Sequence, residues 1–194
     1  MTRPEVAVAL SHIEAWRQIA AGDPSYTLVL EDDAYFTRAF ARILDGAWRE
    51  AMERAGQCGQ FDMLYLSYKE AGTNPPKTQV SDLLFTPVSG LWQLSGYVLS
   101  RDGAKKLLDL LPVRGPVDLW MNHQFHHLDV LATRQPVIEQ RLDAPSTNSY
   151  SVLPVLAQVG AVTCEFSVKA LFARPAVQVP SPIGGSCGCP YRAG

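Results

Sequence analysis

Tyr26-Thr27-Leu28-Val29-Leu30-Glu31-Asp32-Asp33 is an apolar run that ends abruptly in three adjacent carboxylates. Its aliphatic, β-branched core follows the turn signal Gly22-Asp23-Pro24-Ser25 and predicts a short, fully buried strand. The acids then stand at a strand's carboxyl end. In a parallel α/β sheet, ligands bind in the crevice beyond such ends. Alternation along an extended chain predicts Glu31 and Asp33 on one side and Asp32 on the other. Carboxylates that face a common point repel, and raise each other's pKa, unless a cation lies between them. An oxygen-preferring divalent ion, Mg²⁺ or Mn²⁺, suits that place. The plainer reading is a solvated turn whose Asp32 or Asp33 caps the following helix.

Working outward, Val6, Leu10, Ile13, Trp16 and Ala20 recur at helical spacing from Pro4 to Ala21, with Pro4 tolerated in the first turn. Ser11 and His12 lie outside that stripe. Beyond the acids, Thr37 is the expected cap of a helix running to about Arg54, with Phe40, Ile43, Leu44, Ala47, Trp48, Ala51 and Met52 on its buried side. Residues 61–67 read as the next strand, and Lys69 to Gln79, with Gly72, Asn74, Pro75 and Pro76, as a surface loop. Leu83 to Thr86 and Trp92 to Leu99 read as strands. Ser100 is placed to cap a helix carrying Ala104, Leu107, Leu108 and Leu111, with Lys105 and Lys106 on its solvated side. Asp118 is an apt N-cap for a helix from Leu119 to about His127, on which His123 and His127 would share a face able to grip a transition metal. No His-Glu-x-x-His motif accompanies them. Short strands are expected at 130–132 and 137–139.

The 194 residues are 47% hydrophobic and 19% charged, which predicts one globular α/β domain over 1–178 and a flexible Pro/Gly-rich tail over 179–194. A formal charge of -2 leaves no basic field for a nucleic-acid backbone. No apolar run approaches the roughly 20 residues that span a bilayer, so a soluble, cytoplasmic protein is expected, with peripheral membrane contact still compatible. Four cysteines at irregular spacing make no disulfide framework. Cys187-Gly-Cys189 alone has a spacing that suits redox or metal chemistry.

Four segments in order resemble the family 25 glycosyltransferases, which include lipooligosaccharide and procollagen galactosyltransferases. They are Ala9-Leu10-Ser11-His12-Ile13 with Trp16; Leu28-Val29-Leu30-Glu31-Asp32-Asp33; Gly96-Tyr97-Val98-Leu99-Ser100-Arg101-Asp102-Gly103-Ala104-Lys105-Lys106-Leu107-Leu108; and Pro116-Val117-Asp118. The resemblance implies a GT-A-like, Rossmann-like αβα sandwich that moves a sugar from a nucleotide donor, with UDP-galactose expected, to a hydroxyl of a glycan or glycolipid, with inversion. It implies Mn²⁺ or Mg²⁺ held by Glu31 and Asp33, and a donor site drawn from Ser11, His12, Glu31, Asp32, Asp33 and Arg101. A carboxylate must take the acceptor proton. Asp118 is the candidate, though a helix N-cap serves the same position, and Glu139 is the substitute. Family members usually precede the Ser-His motif with a strand-helix-strand unit of roughly 30 residues or more, so an N-terminally truncated domain is expected here.

Two other classes remain open. A truncated, non-catalytic glycan-binding or interaction module would keep the fold without donor binding. A metal-dependent hydrolase built on the acidic strand end lacks an evident nucleophile.

Overall fold

Met63-Leu64-Tyr65, the middle of the second predicted strand, is buried at every position and lies inside the sheet. The computed structural model describes residues 1–71 and 75–141. The elements run α1 (Arg3–Ala21), β1 (Tyr26–Leu30), β2 (Ala34–Phe36), α2 (Phe40–Cys58), β3 (Met63–Tyr65), β4 (Lys69–Glu70), β5 (Lys77–Gln79), β6 (Leu84–Pro87), β7 (Leu91–Trp92) and β8 (Gly96–Ser100). They continue with α3 (Arg101–Asp109), α4 (Val117–Asn122), a 3-10 turn at Phe125–His127, β9 (Val130–Thr133) and β10 (Ile138–Gln140). The expected domain limit at 178, the tail and Cys187 and Cys189 lie outside the described residues, as do Gly72 and Asn74.

The main sheet has the order β1-β8-β3-β9-β6-β5, and β2–β10 and β4–β7 form two small ribbons. Strand alternation divides the core between two faces. Met63, Tyr65, Tyr97, Leu99, Val130 and Ala132 pack with α1, α3 and α4. Leu64, Val98, Leu131 and Leu84 pack with Ala47 and Ala51 of α2. The result is the expected αβα sandwich of GT-A-like, Rossmann-type form. Among the described residues, no helix is long and apolar enough to cross a membrane.

Several expectations need correction. The sheet is mixed: β3–β9 is parallel, and β1–β8, β3–β8, β5–β6 and β6–β9 are antiparallel. The predicted buried strand β1 is an edge strand with Leu28 and Leu30 each 41% exposed. Because β1 and β3 both run against β8, the carboxyl ends of β1, β3 and β9 still share one rim.

Helix α1 is rotated from its predicted stripe, burying Glu5, Ala9, His12, Ile13, Trp16 and Ile19 and leaving Val6 and Leu10 exposed. Ile13 and Trp16 belong to both stripes; the observed rotation buries Ile19, 6% exposed, in place of Ala20 and leaves Leu10 57% exposed. At its start Thr2 and Glu5 close a capping box, with Thr2 N donating to Glu5 Oε2 at 2.6 Å.

Thr37 does not cap α2, which starts at Phe40 without a side-chain cap, and Met52 is exposed. Ser100 does cap α3, accepting from the Gly103 N–H at 2.8 Å. Lys106 is half-exposed, yet its ammonium reaches the buried Asp62 carboxylate at 2.7 Å. The predicted strand over 92–99 is interrupted, because Gln93 takes a positive φ of 71°. The predicted helix from Leu119 to His127 ends at Asn122, with the 3-10 turn following, so His123 and His127 do not share one helix face. Asp118 is the second residue of α4, whose N-cap is Pro116. Both ends of the predicted loop 69–79 are strands, β4 and β5.

Candidate functional site

Glu31 leaves β1 where β8 begins, its N–H donating to the Ser95 carbonyl at 3.0 Å. The next residues turn back, the Ala34 N–H bonding to Glu31 O at 3.3 Å, so the acids do not continue the strand alternation. Each acid therefore meets a different environment.

Glu31 points at α1. Its Oε1 lies 3.3 Å from His12 Nε2, and its Oε2 accepts from Ser95 Oγ at 3.0 Å. His12 Nδ1 lies 2.9 Å from the Tyr97 hydroxyl, which accepts from Trp16 Nε1 at 2.9 Å. Since the indole only donates, one directed chain satisfies every group: Trp16 N–H to Tyr97 O, Tyr97 O–H to His12 Nδ1, and His12 Nε2–H to Glu31. That assignment rests on the hydrogen-bond network. Burial pushes the Tyr97 phenol far up, which keeps its proton on the oxygen. Burial also works to raise the Glu31 carboxyl, but the interaction with His12 and the Ser95 hydroxyl outweigh it and hold Glu31 below its usual range.

Asp32 is exposed in the turn. Asp33 turns inward: its Oδ2 accepts from Gln140 Nε2 at 2.6 Å, and its carbonyl accepts from the Arg141 N–H at 2.9 Å. Among the described residues, Asp33 Oδ1 is buried with no hydrogen-bond partner. A buried carboxylate oxygen without a protein donor is a place that a cation or a water satisfies. Asp33 thus fits the implied Mn²⁺ or Mg²⁺, which such proteins often hold by one or two carboxylates, with water and substrate phosphates. Glu31 fits poorly, since both its oxygens are committed. Among the described residues, no group of three or more His, Cys, Asp or Glu comes together as a ligand set.

Asp118 faces this rim from α4. Its Oδ2 accepts from the Gln93 N–H at 3.2 Å and its Oδ1 from the Leu119 N–H at 2.9 Å. One turn on, Asn122 Oδ1 accepts from the Leu91 N–H at 2.9 Å, so α4 grips residues 91–93 at two points. Burial pushes the Asp118 carboxyl up, the N–H donors of Gln93 and Leu119 pull it back, and the nearby Glu31 charge raises it further. Beside these groups, Tyr68, Lys69, Gln93, Pro136, Ile138, Glu139 and Gln140 line an open cleft of about 240 Å³.

Two predicted residues stand apart from the rim, and a third, Glu139, lines the cleft beside it. Ser11 is exposed and its hydroxyl bonds back to Ala7 O at 3.0 Å. Arg101 lies next to Ser100, which pairs with Tyr26 at the far end of the β1–β8 pair from Glu31; its guanidinium contacts Gly22 O at 3.4 Å. Glu139 is exposed and accepts from the Tyr35 hydroxyl at 2.6 Å. Sequence reasoning missed Gln93, Ser95 and Gln140, which carry no spacing or type signal of their own. Tyr97 lay within a quoted segment without a role.

A family model described as glycosyltransferase family 25 (LPS biosynthesis protein) matches residues 1–121. A "Glycosyltransferase 25 family member" of Aedes aegypti is 34% identical over 134 residues, which is 66% of this chain and 21% of that protein. "Procollagen galactosyltransferase 2" of Homo sapiens is 28% identical over 163 residues, 80% of this chain and 24% of its own. "Procollagen galactosyltransferase 1" of Danio rerio is 29% identical over 162 residues, 80% and 25% of the two chains. The chain spans about a quarter or less of the length of these curated relatives.

Proposed function

Given that this chain belongs to glycosyltransferase family 25, matched over residues 1–121, we propose that it transfers a sugar, galactose from UDP-galactose, to a hydroxyl of a glycan or glycolipid, with inversion. The observation that carries this reading is the meeting at one sheet rim of Asp33, with its unpartnered buried oxygen, and Asp118, whose carboxyl burial makes more basic.

Asp118 takes the acceptor's hydroxyl proton as that oxygen attacks the anomeric carbon; the bond from that carbon to the diphosphate breaks, and the nucleoside diphosphate leaves with the electron pair. A base is most effective when its pKa approaches the working pH, so a raised carboxyl favours this step. The two backbone donors fix the carboxylate's direction, which is the larger need for a positioned base. Asp33, with Asp32 beside it, would hold Mn²⁺ or Mg²⁺, which when bound offsets the charge on the departing diphosphate. Glu31 acts one step back, anchoring the rim to α1 through His12. The cleft beside Gln93 and Gln140 has a polar lining of amide and carboxylate side chains, which suits a polyhydroxylated acceptor.

The test is UDP release from UDP-galactose with and without Mn²⁺, in the presence of a galactose-accepting glycan or glycolipid, alongside calorimetric titration of nucleotide sugars. Metal-dependent binding and turnover support the reading. Absence of both for every nucleotide sugar tried would refute it.

A further inference from the structure

Gln93 has the one left-handed backbone among the described non-glycine residues, with φ at 71°. Such conformations cost energy, and their presence in a folded chain points to a constraint the surroundings impose. What the constraint achieves is visible in its bonds. The Gln93 N–H reaches Asp118 Oδ2 at 3.2 Å, and its side-chain Nε2 donates to Gln140 Oε1 at 3.2 Å. Gln140 Nε2 in turn donates to Asp33 Oδ2 at 2.6 Å. Gln93 stands between β7 and β8, which belong to different sheets.

We propose that Gln93 is a positioning residue that holds Asp118 and Asp33 in one register, its backbone fixing the first and its side chain, through Gln140, the second. The proposal rests on the transferase reading for its consequence, because base and donor-side acid must be aligned to one reacting carbon. The two acids come from α4 and from the turn after β1, and no bond joins them directly among the described residues. Gln140 arrives from a third segment, paired through β10 with β2. Each amide donates and accepts, so Gln93 and Gln140 pass one direction of hydrogen bonding from loop to acid, which an aliphatic side chain of equal size does not do. Both also line the cleft, so the clamp borders the space an acceptor would enter.

The experiment compares Gln93→Leu, Gln140→Leu, their double variant and Gln93→Gly in the full chain. Leucine keeps the strained backbone and its N–H but ends the relay. Either single change should lower kcat by about tenfold to a hundredfold, as small misplacements do, with less change in donor KM. The double variant should be no slower than the worse single one, since both cut the same chain. Gln93→Gly relieves the backbone, so its melting midpoint should hold or rise while kcat falls; a purely structural role predicts that both fall. Independently of turnover, the Gln140 side-chain amide resonances should move in Gln93→Leu. Losses that multiply, or amide resonances that stay in place, overturn the clamp. Resonances that respond in a chain with no turnover would keep the clamp and refute the transferase reading instead.

Discussion

Replacing Glu31 by alanine should destabilise the protein far more than the same change at its neighbour Asp32. Glu31 is the acceptor for His12 Nε2–H and for the Ser95 hydroxyl, and His12 and Ser95 are 5% and 1% exposed. A buried donor left without a partner costs about 1–3 kcal/mol. Two such donors, with water admitted to one through the partly exposed Glu31 position, give about 2–4 kcal/mol. Asp32 has an exposed side chain, and changes at such positions stay within about 0.5 kcal/mol. Urea unfolding followed by far-ultraviolet circular dichroism at pH 7 reads the difference, with equal m-values as the check that both states are comparable. Glu31→Gln keeps an acceptor for His12 and should lie between. A pH series adds the sign. The Glu31 carboxyl is held below its unfolded value, so its contribution is complete above the ordinary glutamate pKa of about 4.3 and fades as pH falls below it. The wild type should lose that share on acidification and Glu31→Gln should not. Equal stability of Glu31→Ala and Asp32→Ala would refute the reasoning.

Other outcomes follow from the same geometry. Asp118→Asn should lower kcat by about 10²–10⁴-fold with nucleotide binding retained, measured by UDP release and calorimetry. The wild-type kcat/KM should rise with pH through an apparent pKa above the ordinary aspartate value of about 3.9, because burial raises this carboxyl and the base must be ionised. Asp33→Ala should abolish Mn²⁺-dependent nucleotide binding while the melting midpoint drops only modestly, since a single internal hydrogen bond of about 1 kcal/mol is lost. Gly103→Ala sets two effects against each other. Alanine gains up to about 1 kcal/mol in helix propensity, but its Cβ would stand 2.6 Å from the Asp62 carbonyl oxygen, and overpacking costs about 1–3 kcal/mol. Net destabilisation is expected in urea melts.

Much of the architecture was legible because it rests on local patterns. Ser100 followed by an apolar helical stripe named the α3 cap, and the apolar run at 61–67 named the sheet's interior. What escaped depends on tertiary pairing. The β1 residues read as buried because aliphatic runs look alike in edge and central strands, and only the partner β8 shows that one side is open. The rotation of α1 is not legible locally because its buried face includes a polar residue, His12, and the Glu31 and Tyr97 partners that satisfy it lie 19 and 85 positions away. The acids were legible as a cluster but not in their separate environments, since a turn at Glu31 replaces the expected alternation. Gln93 and Gln140 gave no signal, because an amide joined to an amide across 47 positions has no sequence pattern.

The ribbon formed by β2 and β10 bonds Tyr35 to Glu139, 104 positions apart. Contacts of such long separation form late and slowly, because the intervening chain must surrender its freedom before they return anything. Asp33 and Gln140 sit at the end of that ribbon, so the rim of the cleft is completed only after nearly all of the described chain has been synthesised and packed. Earlier still, before β8 is made, a nascent chain carries β1 with both edges bare, since β8 is its one strand partner among the described residues, a state in which strand-to-strand aggregation competes with folding. Recovery of native protein should therefore improve with slow synthesis at low temperature and with dilution during refolding.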